Sequence, residues 1–245
     1  PSHLNSLINR GRAKGLSLNF TGAIEDFNKA LEINPNDAKV FMKIGMMKDK
    51  LDDHKSAVLN YNKAIQIDPL YSQAYGNRSL SQAKLGNLED AEKDIDKAIE
   101  IDPNDYIFYK NRAELKLNYL NDLEGSINDC KNIIEIDSTK INIGIVAKDI
   151  EQKIINYAKG EGYLIRGKAK IKLDDLDGAC EDLKTAYELG NKDAYSLLRI
   201  NCKEYDSPLD EKIGSDANEI KKKFNTGKEE ILATYNLETL SNIVE

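Results

Sequence analysis

The chain has 245 residues, is 40% hydrophobic and 31% charged, and carries a net charge of −7, which allows one or two ordinary domains with a sizeable core. An acidic balance gives no global pull toward nucleic acid or anionic membrane, so neither is expected as a partner, although a local basic face is compatible with it. No apolar run reaches the length needed to span a bilayer, so no membrane insertion is expected; Pro1-Ser2-His3 shows no signal peptide, but the chain opens on Pro1 rather than Met and an upstream segment would leave the compartment open.

The organising feature is a period. Pro35, Pro69 and Pro103 are 34 residues apart, each after an apolar helix end: LEINPND, IQIDPLY, IEIDPND. Proline cannot continue the hydrogen-bond ladder and restricts the residue before it, so each ends a helix. Equal steps back from each proline find Ala30, Ala64 and Ala98, then Phe27, Tyr61 and Ile95, then Ala23, Ala57 and Ala91. Small residues let two helices approach and the large one fills the space between them. The preceding helix is in register as well, with Leu7, Phe41, Tyr75 and Tyr109 followed four places on by Gly11, Gly45, Ser79 and Ala113. The fourth unit has one extra residue in its loop near Asn121, after which Ser126, Cys130, Ile133 and Ser138 take the corresponding places. A fifth unit shows Tyr163, Gly167, Ala179, Leu183 and Ala186, with Leu189-Gly190-Asn191 as a glycine stop in place of proline.

These positions resemble the tetratricopeptide repeat family, continuously over about residues 4–140 and again over 160–193. The resemblance implies an all-α fold: a right-handed superhelical solenoid of helix–turn–helix repeats. The expected organisation is four units at 4–37, 38–71, 72–105 and 106–140, an inserted helix at 141–159 marked by Val146, Ile150 and Ile154, and a fifth unit at 160–193. A closing helix follows at 194–204, then a linker and a C-terminal helical segment at 205–245 that supplies a cap.

Comparison among the repeats gives a correlation. Arg10, Arg78, Arg112 and Arg166 precede the small residue of the first helix; Asp26, Asp94, Asp129 and Asp182 precede the large residue of the second. The unit at 38–71 has Ile44 and Asn60 instead, so both members are lost together. A structural Arg–Asp bridge within each of the other four units is expected.

Catalysis is not expected. His3 and His54 have no second ligand at metal spacing, no phosphate loop follows a strand, and carboxylates such as Asp52-Asp53 and Asp174-Asp175 suit turns and caps. No cofactor or metal is implied. Cys130 stands at a core place and reads as a buried thiol. Cys180 and Cys202 fall at similar heights on consecutive antiparallel helices, as a disulfide or as two separate thiols; the run GACEDLKTAYELG followed by LLRINC resembles the closing segment of some bacterial repeat proteins. A bridge would fit an exported or periplasmic setting, two thiols a cytoplasmic one.

The resemblance places a concave groove along the first helices. Its candidate peptide-binding residues are Arg12, Lys39, Met42, Lys43, Met46, Asn77, Leu80, Lys84, Lys110 and Asn111, with Lys50, Lys168 and Lys172 adding charge against Asp49, Glu114 and Glu161. A basic groove on an acidic chain attracts an acidic or carboxylate-bearing segment. The chaperone-binding subfamily's Lys, Asn, Asn, Lys, Arg set is matched only by Asn77, which disfavours that ligand. The expected function is a protein–protein interaction scaffold. The alternative is a self-assembly module, a homo-oligomer in which the C-terminal helix around Ile231–Leu240 docks in a neighbouring copy's groove.

Overall fold

The computed structural model describes residues 2–136 and 148–202. Ser138, the stretch 141–147 and the linker, cap and docking helix expected within 205–245 lie outside the described residues. The chain divides into two units, Pro1–Pro103 and Asn104–Glu245. Within each, the helices pack as antiparallel pairs, and no strand occurs among the described residues.

The first unit holds α1 (Ser2–Leu16), α2 (Phe20–Ile33), α3 (Ala38–Lys50), α4 (His54–Ile67), α5 (Ser72–Lys84) and α6 (Leu88–Ile101). The turn inside each pair repeats one conformation. Leu18, Asp52 and Gly86 are left-handed, with φ of 62°, 57° and 82°. The next N–H reaches back to the helix, Asn19 to Lys14, Asp53 to Lys48 and Asn87 to Gln82, at 2.9 Å each, which satisfies a terminal carbonyl. Asn19 and Asp53 then cap the second helix by accepting from the N–H groups of Gly22 and Ser56. The helices are close because a large side chain enters a site with no Cβ. A methyl at Gly11 would lie 2.7 Å from Phe27 Cε1, and one at Gly45 2.5 Å from Tyr61 Cε1.

The second unit holds α7 (Tyr106–Leu115), α8 (Leu123–Ile134), α9 (Lys148–Lys172), α10 (Leu176–Glu188) and α11 (Asp193–Asn201). Two departures from the sequence reading appear here. The extra residue of the fourth unit is not in the loop. It is absorbed as a π-helical turn, Lys116–Leu120, at the end of α7. The turn beyond it keeps the form seen in the first unit, with Asn121 at φ 53° and Asp122 capping α8 through Gly125 N. Only the return bond lengthens, to Asp122 N–H on the Lys116 carbonyl. A wider turn exposes a carbonyl, and Lys172 Nζ donates to that of Leu117 at 2.7 Å.

The second departure concerns the helix expected at 141–159. It does not end before the fifth unit; one helix of 25 residues, α9, runs from Lys148 through Lys172. Gly160 and Gly162 lie inside it. The missing side chain of Gly162 is used for packing: a methyl there would sit 3.1 Å from the side chains of Ile133 and Ile134 of α8. Ile154, Ile155 and Ala158, early in the helix, are buried.

Cys180 of α10 and Cys202, after α11, are joined by a disulfide with their Cα atoms 5.9 Å apart. It borders a cluster of Leu164, Leu183, Ala186, Ala194 and Leu198. The bridge spans 22 residues, and in the chain-entropy account a loop of that size stabilises by about 3 kcal/mol. Cys202→Ser is therefore expected to lower the thermal midpoint of the second unit by about 10 °C, read by circular dichroism; a midpoint equal to wild type contradicts this role.

Candidate functional site: the first-helix faces

The four Arg–Asp pairs of the sequence reading meet within their helix pairs. Arg10 grips Asp26 through Nε and Nη2 at 2.7 Å each. Arg112 holds Asp129 at 3.0 and 2.7 Å, and Arg166 holds Asp182 at 2.8 and 2.6 Å, in the same two-pronged way. Arg78 grips Asp94 likewise and also donates to Asn62 Oδ1. The π turn is what lets Arg112 and Asp129 keep this geometry at a separation of 17 rather than 16. Sequence reasoning missed the second cation: Lys14, Lys116 and Lys170, one turn after the arginine, reach the same carboxylates at 2.9 Å. The signal was an i, i+4 Arg/Lys spacing in three units. Arg78, Arg112 and Arg166 also lie over the rings of Tyr75, Tyr109 and Tyr163.

The unit at 38–71 solves the same junction differently. Ile44 is buried, and Asn60 donates to the Ser56 carbonyl of its own helix. Tyr61 fills the large-residue place, and its hydroxyl donates to Asp49 at 2.7 Å. Ser81 of α5 donates to the same carboxylate, and His54 Nδ1 lies 2.8 Å from it. Burial and the Asp49 charge push the Tyr61 phenol well above its ordinary pKa. A tyrosine hydroxyl at a buried place requires an acceptor, so Tyr61 itself was the sequence signal for this cluster. Asp49, expected to face a ligand, is engaged inside the first unit.

The other candidate residues separate by unit. On the first, Lys39 and Lys84 are exposed, while Lys43, Met46, Asn77 and Leu80 are half-buried and Met42 is buried. The faces of α3 and α5 are adjacent, since Asn77 Nδ2 lies 3.9 Å from Met42 Sδ. Arg12 is half-buried, and its Nη2 is shielded from solvent with no hydrogen-bond partner.

On the second unit the expected cations have internal work. Lys110 of α7 pairs with Glu161 of α9, which also accepts from Asn191. Burial opposes the Lys110 charge, but Glu161 and Glu114 outweigh it and hold its pKa above the ordinary lysine value. Burial raises the Glu114 carboxyl, with Lys110 and Lys168 acting against that shift. Lys172 is committed to the Leu117 carbonyl. Asn111 is buried. Cys130 is buried, which pushes its thiol up to about 12. Among the described residues no cluster of His, Cys, Asp or Glu could hold a metal ion, and no helix is long and apolar enough to cross a membrane.

Stacked helix pairs with this turn, this small-to-large junction and these bridges define a helical-repeat protein. The tetratricopeptide repeat model matches residues 4–37, 38–69 and 72–105, so these stretches are tetratricopeptide repeats, a family whose members serve as protein-interaction scaffolds. Solved structures share the fold. A thermophilic repeat protein of Thermus thermophilus, TTC0263, is 17% identical with a TM-score of 0.62, covering 80% of this chain and 96% of its own. MamA of Desulfovibrio magneticus RS-1 is 16% identical with a TM-score of 0.57, covering 77% and 96%. YrrB, described as a repeat protein with an unusual peptide-binding site, is 16% identical with a TM-score of 0.52, covering 75% and 84%. No curated protein sequence matches the chain.

The Asp26 carboxyl is 1% exposed and is held well below the ordinary carboxylate range by Arg10 and then Lys14, against the opposing effect of burial. A depressed carboxylate stabilises the fold above the unfolded pKa of about 4, and that contribution is lost as pH falls below it. Asp26→Asn is expected to cost about 2 kcal/mol at neutral pH, discounted because Arg10 is half-exposed. It should also flatten the decline of stability between about pH 4 and pH 2. Urea unfolding across that range checks both; an unchanged acid slope contradicts the bridge's contribution.

Proposed function

We propose that the first-helix face of the unit Pro1–Pro103 binds an extended acidic segment of a partner protein. The observation that carries this reading is the division of charge between the two units. On α1, α3 and α5 stand Arg12, Lys39 and Lys84 against the single carboxylate Asp49, which is already engaged by Tyr61, Ser81 and His54. On α7 and α9, Lys110 and Lys172 have internal partners and Lys168 lies within electrostatic reach of Glu114. A face on which cations outnumber carboxylates steers an anionic chain toward itself.

Chemistry for an extended ligand lies beside that charge. Met46 and Leu80 offer adaptable apolar contact. Asn77 donates its Nδ2 to the Gln73 carbonyl at 2.9 Å, which leaves Oδ1 to accept a peptide N–H. The peptide-binding description of YrrB, a protein of the same fold, accords with this. The chain would act as a scaffold without chemistry of its own, and the Cys180–Cys202 bridge fits an oxidising compartment.

The test uses the full chain and a fluorescein-labelled peptide of alternating Glu and Val, with a Gln–Val peptide as control. Anisotropy is expected to show preference for the Glu peptide that weakens with salt. Reversing two exposed charges, Lys39→Glu with Lys84→Glu, should reduce its affinity about tenfold or more. Equal binding of the Gln peptide, or no change in the double variant, overturns the proposal.

A further inference from the structure

We infer that Asp49 is a positioning residue of the first unit: through Ser81 it ties α3 to α5 and so sets the spacing at which the two helices present Met46 and Asn77 to a bound segment. This rests on the reading of the first unit as a peptide site and names the device that keeps that site in shape.

The Arg–Asp bridges act inside helix pairs, between residues 16 or 17 apart. Asp49 reaches into the next repeat. Ser81, 32 residues on, donates to its two oxygens at 2.8 and 2.7 Å. The same carboxylate accepts from Tyr61 of its own pair at 2.7 Å, with His54 Nδ1 2.8 Å from it. Tyr61 is fully buried and Ser81 is 1% exposed, so water does not compete for either hydroxyl. An ionised acceptor makes such bonds shorter and stronger than neutral ones.

The neighbouring step along the first helices is built differently. The places equivalent to Asp49 and Ser81, one period earlier, hold Gly15 and Met47. These meet as an apolar contact: a methyl at Gly15 would lie 3.0 Å from Met47 Sδ. Apolar contact has no direction, whereas a hydrogen bond fixes distance and angle. The step from α1 to α3 can therefore slide, and the step from α3 to α5 is held.

The held step lies beside the face it serves. Met46 stands three residues before Asp49, and Asn77 four before Ser81, so each is about one helical turn away on the same side. Ser81 Oγ also lies 3.2 Å from the Asn77 carbonyl, and Asn77 Nδ2 lies 3.9 Å from Met42 Sδ across on α3. A shift between α3 and α5 would move the apolar and amide groups of the face relative to each other. Asp49 acting only as a surface charge would do something else: it would repel an acidic segment, and its removal would tighten binding.

The test compares Ser81→Ala, Tyr61→Phe and Asp49→Ala in the full chain, at a temperature where all are folded, with the same Glu–Val and Gln–Val peptides. Ser81→Ala cuts the link between repeats and Tyr61→Phe the bond within the pair. Each removes one buried hydrogen bond to the same carboxylate, so both should lower the thermal midpoint by a similar amount. Ser81→Ala should weaken the Glu peptide about fivefold, while Tyr61→Phe stays within about twofold of wild type. Asp49→Ala should also weaken it, although a like charge has been removed. Glu-peptide binding in Asp49→Ala that equals or exceeds wild type makes Asp49 a surface charge and overturns the inference. Equal losses in Ser81→Ala and Tyr61→Phe tie affinity to stability and overturn it too. Wild-type affinity in Ser81→Ala overturns the positioning role and leaves the peptide site standing. Absence of any Glu preference in wild type overturns that reading and this inference with it.

Discussion

A small residue on one helix facing a large one on the next is the constraint on which this molecule depends. At Gly11 against Phe27 and Gly45 against Tyr61 there is no room for even a methyl group. Where the first helix carries Ser79 its hydroxyl bonds the Ala91 carbonyl across the junction, and where the second carries Ser126 its hydroxyl bonds that of Ala113. Either way two helices are brought close enough that a guanidinium on one reaches a carboxylate on the other. The bridges are a consequence of this spacing: at the four junctions that bury charge, geometry guarantees its partner.

That commitment decides which charges remain for a partner. A residue on the inner side of a pair is tied to a partner across the pair, so what each unit offers to solution is set by the outward side of its first helix. In the second unit this side is closed by Lys110 with Glu161 and by Lys172 with the carbonyl that the π turn exposes. In the first, cations outnumber carboxylates and Arg12 Nη2 has no partner. The two units thus share a construction and differ in what they offer to solution, and the difference comes from a few outward side chains rather than from the fold.

Much of this was legible in the sequence because close packing restricts residue size at fixed intervals, and a restriction on size leaves a period. The Arg–Asp pairs were legible for a related reason: Ile44 and Asn60 replace both members together. Other features left weaker traces. The extra residue near Asn121 was visible as a slip, but its placement was not, because the left-handed turn at Asn121 keeps its form and pushes the surplus back into α7. The continuity of α9 was hidden by Gly160 and Gly162, which weaken a helix by propensity; Gly162 packs against α8 and Gly160 against the end of α10. Lys110 and Glu161 are brought together by a helix whose start lies outside the repeat register, so no fixed spacing announced the pair. That Arg12 lacks a partner is a fact about space that spacing along the chain does not encode.

The central claim is that the ligand face belongs to α1, α3 and α5 and not to α7 and α9. Amide and methyl chemical-shift changes on titrating the full chain with the Glu–Val peptide test this most directly. The account predicts saturable shifts at Met42, Met46, Asn77 and Leu80 and at the backbone around Arg12, with Lys110, Asn111 and Leu164 unmoved. Shifts concentrated on α7 and α9, or spread evenly over both units, would contradict it.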